Sequence, residues 1–107
     1  MVKRKDKELI YEKIMEYVAK LKKNNVPVWR LYLYGSYAKN TFHPDGDIDL
    51  AVFWDREDID GLDEDVQLRM LSWNIDPRIE PHSFACTDFD ETDPFVREII
   101  TTGERIL

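Results

Sequence analysis

Tyr34-Gly35-Ser36-Tyr37-Ala38-Lys39-Asn40-Thr41, with ten residues after Ser36 and then Asp47-Ile48-Asp49-Leu50, is the stretch that decides how this chain is read. A Gly-Ser that opens a short helix leaves backbone N–H groups without intrahelical partners, and these suit phosphate oxygens. Two Asp residues one apart on a strand project from the same face. Such carboxylates suit Mg²⁺, a hard cation that takes oxygen ligands and commonly shares them with substrate phosphates. The two halves together read as a phosphate-holding turn that faces a metal-binding pair.

The flanks support this placement. Val28-Trp29-Arg30-Leu31-Tyr32-Leu33-Tyr34 alternates and is rich in β-formers, so the spacing predicts a strand running straight into Gly35. Tyr37 to Thr41 can make one or two helical turns, which His43-Pro44-Asp45-Gly46 then breaks. The next strand, Asp47 to Trp54, puts Ile48, Leu50, Val52 and Trp54 on one face and Asp47, Asp49, Ala51 and Phe53 on the other. Upstream, Leu9, Ile10, Ile14, Tyr17, Val18 and Leu21 recur at helical spacing between Lys5 and Lys23, and Asn24-Asn25-Val26-Pro27 stops that helix.

Downstream, the acidic stretch after Asp55 reads as a loop. Glu64 to Trp73 reads as a helix whose apolar residues, Val66, Leu68, Met70, Leu71 and Trp73, define no clear face. Asn74-Ile75-Asp76-Pro77 ends it, Arg78 to Cys86 reads as a third strand, and Thr92-Asp93-Pro94 looks like the cap and first turn of a last helix ending near Gly103. The predicted order is α-β-α-β-α-β-α.

The bulk numbers narrow the class. A chain of 107 residues allows one domain, residues 1–107, with a single core. A hydrophobic fraction of 43% beside 35% charged residues suits a globular protein, and no apolar run is long enough to span a bilayer. Met1-Val2-Lys3-Arg4-Lys5 leads into charged helix and not into the apolar core of a signal peptide, so the cytoplasm is the expected location. The single cysteine, Cys86, has no partner for an internal disulfide, and no His/Cys cluster has zinc spacing. A net charge of −7 argues against a general nucleic-acid binder, because Lys and Arg supply most of that affinity. Nine of the fifteen basic residues nevertheless fall in the first thirty positions, where they read as a solvated helix face.

Gly-Ser, ten residues, Asp-x-Asp is similar to the signature of the nucleotidyltransferases of the DNA polymerase β superfamily, and the short length resembles its minimal, or MNT, branch. The likeness runs on through Asp93-Pro94-Phe95-Val96-Arg97-Glu98-Ile99-Ile100 and Gly103-Glu104-Arg105-Ile106-Leu107, which look like the closing helix and tail of MNT proteins. It implies an α/β (α+β) fold like the polymerase β palm, a short mixed sheet flanked by helices. It also implies a third carboxylate on a later strand, a role Glu80 offers within Arg78-Ile79-Glu80-Pro81-His82-Ser83-Phe84.

The resemblance then assigns roles. Asp47, Asp49 and Glu80 would be the catalytic residues and the ligands of two Mg²⁺ ions, while Gly35, Ser36, Lys39 and Asn40 would bind the nucleotide. Two ions roughly 3.5–4 Å apart clamp the attacking and leaving oxygens of such a transfer. Here Asn40 stands where the family often has Gly, and Gly46 where it often has Ser. Pro81 restricts the backbone beside Glu80 and removes one ladder donor. His43 reads as a turn residue and His82 as a strand residue that shares the parity of Glu80. Cys86 reads as a small core residue, and Trp29, Trp54 and Trp73 as packing residues in regular elements.

The implied activity is Mg²⁺-dependent transfer of a nucleoside monophosphate, AMP from ATP, to an acceptor hydroxyl. Because the chain leaves no room for an acceptor-binding domain, a partner protein is expected to complete the site or to be the substrate. MNT proteins are often paired with HEPN-type toxins, so a HEPN-like partner is the expectation the resemblance carries. Two alternatives stand beside it: a non-catalytic antitoxin that acts by binding, and a small-molecule nucleotidyltransferase that completes its site as a homo-oligomer.

Overall fold

The computed structural model describes residues 4–35 and 46–107. The expected short helix from Tyr37 to Thr41, and with it Ser36, Lys39, Asn40 and His43, lies outside the described residues. The described elements are α1 (Arg4–Lys23), β1 (Val28–Tyr34), β2 (Ile48–Trp54), α2 (Leu62–Ser72), β3 (Ile79–Ala85), a 3₁₀ turn (Cys86–Asp88), α3 (Pro94–Thr102) and β4 (Glu104–Arg105). The strands form one mixed sheet in the order β3-β2-β1-β4, with β2 and β3 parallel and the other pairs antiparallel.

Alternation along β1 and β2 divides the apolar residues between two faces. Leu31, Leu33, Ile48, Leu50, Val52 and Trp54 pack beneath α1 and Leu68 of α2. Tyr32, Ala51 and Phe53 on the opposite face meet Val96 and Ile99 of α3. The sheet thus has helices on both faces, a layered arrangement in which each apolar strand face finds a cover. Tyr17 ties α1 to α2 within the first layer, its hydroxyl donating to the Leu68 carbonyl at 2.8 Å. Among the described residues no helix is long and apolar enough to cross a membrane.

Several local choices explain the boundaries. Asp93 caps α3 by accepting from the N–H groups of Phe95 and Val96, and Pro94 follows at the first helical position, as the sequence predicts. The helix α2 starts at Leu62, inside the stretch read as loop. The side chain of Glu64, the first residue of the predicted helix, reaches back to accept from the Gly61 N–H at 2.8 Å and so closes a first turn that begins two residues earlier. Glu64 also pairs with Arg56 at 3.2 Å.

The outer edge of β3 is held by α2. The Ser83 N–H donates to Asp65 Oδ1 at 2.7 Å and therefore points away from β2. Pro81, two residues earlier, has the same orientation, so its missing N–H costs the β2–β3 ladder nothing. That explains how a proline sits inside this strand.

Three expectations need correction. The sequence reading contains no fourth strand, yet Glu104 and Arg105 pair with Leu33 and Tyr32. Trp73 does not pack: it is 70% exposed at the end of α2, whereas Trp29, 37% exposed, meets Phe89 edge-on with ring centres 5.3 Å apart, and Trp54 is buried and donates to Ser83 Oγ at 3.0 Å. The reason at Trp73 is the phase of α2, which buries Glu64, Leu68 and Ser72 and turns Trp73 to the other side. Cys86 is half-buried at the start of the 3₁₀ turn, more open than a core position.

Candidate functional site

The parallel register of β2 and β3 sets Asp49 directly beside Glu80, and the antiparallel register of β1 and β2 sets Tyr34 on the other side of Asp49. Residues opposite one another in a sheet project to the same side, so Tyr34, Asp49 and Glu80 form one row across three strands. Asp47 precedes β2 by one residue and is exposed, while Asp49 and Glu80 are half-buried. The row continues the α3-covered face past its aromatic cluster, where Tyr34 meets Phe95 edge-on with ring centres 5.9 Å apart.

Gly35 follows β1 with φ of 74°, a conformation that disfavours residues bearing a Cβ. A Cβ built there would lie 2.4 Å from Asp49 Oδ2. The resemblance gave this glycine a role in nucleotide binding. The geometry adds a cause within the protein: Gly35 lies so near the Asp49 carboxylate that an added methyl group would force that side chain to move.

Electrostatics at the row are those of crowded acids. Burial raises the Asp49 carboxyl above its ordinary range; His82 opposes this, and the charges of Asp47 and Glu80 add to it. The Tyr34 hydroxyl is pushed far up by burial and by the neighbouring charges of Asp49 and Glu80. His82 lies two residues beyond Glu80 on β3, its ring 6.2 Å from that of Tyr34.

Glu80 is already engaged, because Arg69 Nη2 of α2 forms an ion pair with its Oε2. Sequence reasoning missed Arg69, which sits on a helix eleven residues upstream of Glu80 with no pattern linking the two. Tyr34 was quoted in the deciding stretch but given no role. A strand ending in Tyr directly before the glycine was the available signal.

The described residues therefore bring Gly35, Asp47, Asp49 and Glu80 to one end of the sheet, with Asp49 and Glu80 as direct neighbours. Beside them opens a cleft of about 210 Å³ lined by Tyr34, Gly35, Phe95, Glu98, Ile99 and Thr102. Among the described residues no three His, Cys, Asp or Glu side chains converge on a point where a metal ion could sit. The donor chemistry still fits a hard cation: the acids are oxygen donors, and their mutual repulsion is relieved by positive charge. Arg69 supplies such a charge to Glu80 in this arrangement.

Comparison with known proteins agrees with the architecture. The polymerase beta nucleotidyltransferase family model matches residues 7–107. The crystal structure of a mutant of the toxin–antitoxin pair MntA–HpeT superposes with a TM-score of 0.62 at 22% identity, covering 86% of this chain and 69% of that one. A protein assigned as a nucleotidyltransferase from Sulfolobus solfataricus superposes with a TM-score of 0.58 at 15% identity, covering 94% of this chain and 78% of that one. No curated protein matches. At these identities the two structures speak to the fold alone, whereas the family match spans nearly the whole chain. The chain belongs to the polymerase beta nucleotidyltransferase family.

Proposed function

We propose that the chain transfers a nucleoside monophosphate, AMP from ATP, to a hydroxyl on a partner protein, the acceptor oxygen bonding to the α-phosphorus as its bond to the β-phosphate oxygen breaks and pyrophosphate leaves, with Asp47, Asp49 and Glu80 as the catalytic carboxylates. The observation that carries this reading is the adjacency of Asp49 and Glu80 across the β2–β3 register, with Gly35 pressed against Asp49. Asp47 and Asp49 would hold Mg²⁺, and Glu80 would join them on leaving Arg69. When bound, the metal supplies charge neutralisation at the reacting phosphate and lowers the pKa of the acceptor hydroxyl.

The chain's own residues supply the rest. Gly35 lets the backbone turn beside Asp49, and phosphate oxygens would be held by backbone N–H groups beyond it. The nucleotide-binding roles of Ser36, Lys39 and Asn40 belong to the same proposal. Arg69 keeps Glu80 neutralised in the resting site and becomes a cation free to face phosphate when Glu80 departs. Glu80 then accepts the acceptor's proton, which requires a carboxylate within hydrogen-bond reach of the hydroxyl.

A protein acceptor is favoured by the two-protein toxin–antitoxin assembly among its structural neighbours. A HEPN-like toxin is the proposed partner class. The engagement of Glu80 by Arg69 favours one second reading, a binding partner that neutralises without turnover. Label transfer separates the two. Under the proposal, ATP labelled at the α-phosphate, and not at the γ-phosphate, marks a protein band in a host lysate only when Asp47 and Asp49 are intact. A pure binder marks none.

A further inference from the structure

The outer face of α2 carries four large apolar side chains in one stripe. Leu62, Val66, Met70 and Trp73 are 71%, 51%, 65% and 70% exposed. Their spacing of four, four and three residues places them on a single face of a helix. The face is opposite the one that buries Glu64, Leu68 and Ser72. Single exposed apolar residues are ordinary, but a contiguous stripe of this kind marks an interaction surface.

The stripe borders a groove. Asn24 from the end of α1 and Asp63, Val66, Gln67, Met70 and Leu71 of α2 line a depression of about 330 Å³, open along its length. Exposed Asp58 and Asp60 lie four and two residues before Leu62, which starts the stripe, and exposed Asp63 lines the groove. Arg56, in the loop before them, is paired with Glu64, and Arg69 on the stripe's flank is paired with Glu80. Lys20, Lys22 and Lys23 lie in the last turn of α1, just before Asn24.

We infer that this face of α2 is the docking site for an amphipathic helix of another protein, with apolar residues over Val66, Met70 and Trp73 and cations toward Asp58, Asp60 and Asp63. Helix-in-groove recognition reads as apolar anchors at helical spacing, with charges on the rim setting partner and orientation. A second copy of this chain is the poorer occupant, since each copy carries a net charge of −7 and like-charged molecules repel on approach. Docking here also places the partner beside Arg69, and so beside Glu80. The inference needs no nucleotide at the site.

A test uses the intact chain and two synthetic peptides of about 18 residues, long enough for five helical turns. One is a Leu–Lys amphipathic helix, and the other has the same composition in scrambled order. The expected result is saturable binding of the first peptide, with a blue shift of tryptophan emission, and binding at least about tenfold weaker for the scrambled peptide. The Val66→Ser/Met70→Ser variant is expected to keep its circular-dichroism melt and to lose binding by at least the same factor. Equal binding of both peptides, or of both proteins, overturns the inference, as does no binding at all. Sedimentation of the intact chain as a dimer and of the variant as a monomer also overturns it, in favour of a second copy.

Discussion

Gly35 and Asp49 are locked together: the glycine has φ of 74°, and a Cβ on it would lie 2.4 Å from Asp49 Oδ2. The turn and the carboxylate are therefore a single fitted unit. Gly35→Ala must either strain the backbone and move the Asp49 side chain or reshape the turn. The expected loss is about 1–3 kcal/mol of stability together with loss of ATP binding. Gly61 is the internal control, with φ of 94° and no atom within 4 Å of an added Cβ. Gly61→Ala should cost about 1–3 kcal/mol through backbone strain alone and leave nucleotide binding intact, as chemical denaturation and calorimetry would report.

Asp49 works against the fold it sits in. Its carboxyl is raised by burial and by the acids around it, so the native state binds its proton more tightly than the unfolded chain does. This group's contribution is present in full below the unfolded value of 3.8 and is lost as pH rises through the higher folded value. Asp49→Asn is therefore expected to melt higher at neutral pH, by up to about 1 kcal/mol after solvent screening of this half-exposed group. The difference from the unaltered protein should shrink toward pH 3.8, and melts across a pH series check it.

Arg69 and Glu80 are both partly exposed, so their ion pair contributes little to stability. Arg69→Ala should lower stability by less than about 1 kcal/mol. Its effect falls instead on Glu80, which loses its resident cation and is left beside Asp49. Affinity for Mg²⁺ without nucleotide should rise by roughly three- to tenfold, measured by Mn²⁺ competition in paramagnetic relaxation. An unchanged affinity would mean that Glu80 is no ligand.

Gly103 joins α3 to β4 with ordinary backbone angles, yet a Cβ there would lie 2.3 Å from the Ile99 carbonyl oxygen and 3.0 Å from that of Leu33. Both obstacles are backbone and have little room to yield. Gly103→Ala should cost more than about 2 kcal/mol and detach the Glu104–Arg105 pairing with β1, visible as faster amide exchange at Leu33.

Strand boundaries were legible where alternation is unbroken: β1 was read residue for residue, and β2 to within one. The pair Asp47 and Asp49, and the neighbouring Glu80, came from parity and from the family resemblance. Other features depend on contacts between distant segments. The two residues of β4 carry no period of their own and exist as a strand only because β1 offers an open edge. Arg69 reaches Glu80 across the α2–β3 packing, which spacing does not encode. The apolar residues of α2 looked phaseless because two faces carry them, one buried and one exposed.

Calorimetric titration of ATP, with and without Mg²⁺, into the intact protein and into a folded Asp47→Asn/Asp49→Asn variant tests the central claim most directly. The account predicts Mg²⁺-dependent binding to the intact chain and none to the variant. Equal binding by the two proteins, or binding indifferent to Mg²⁺, would contradict it.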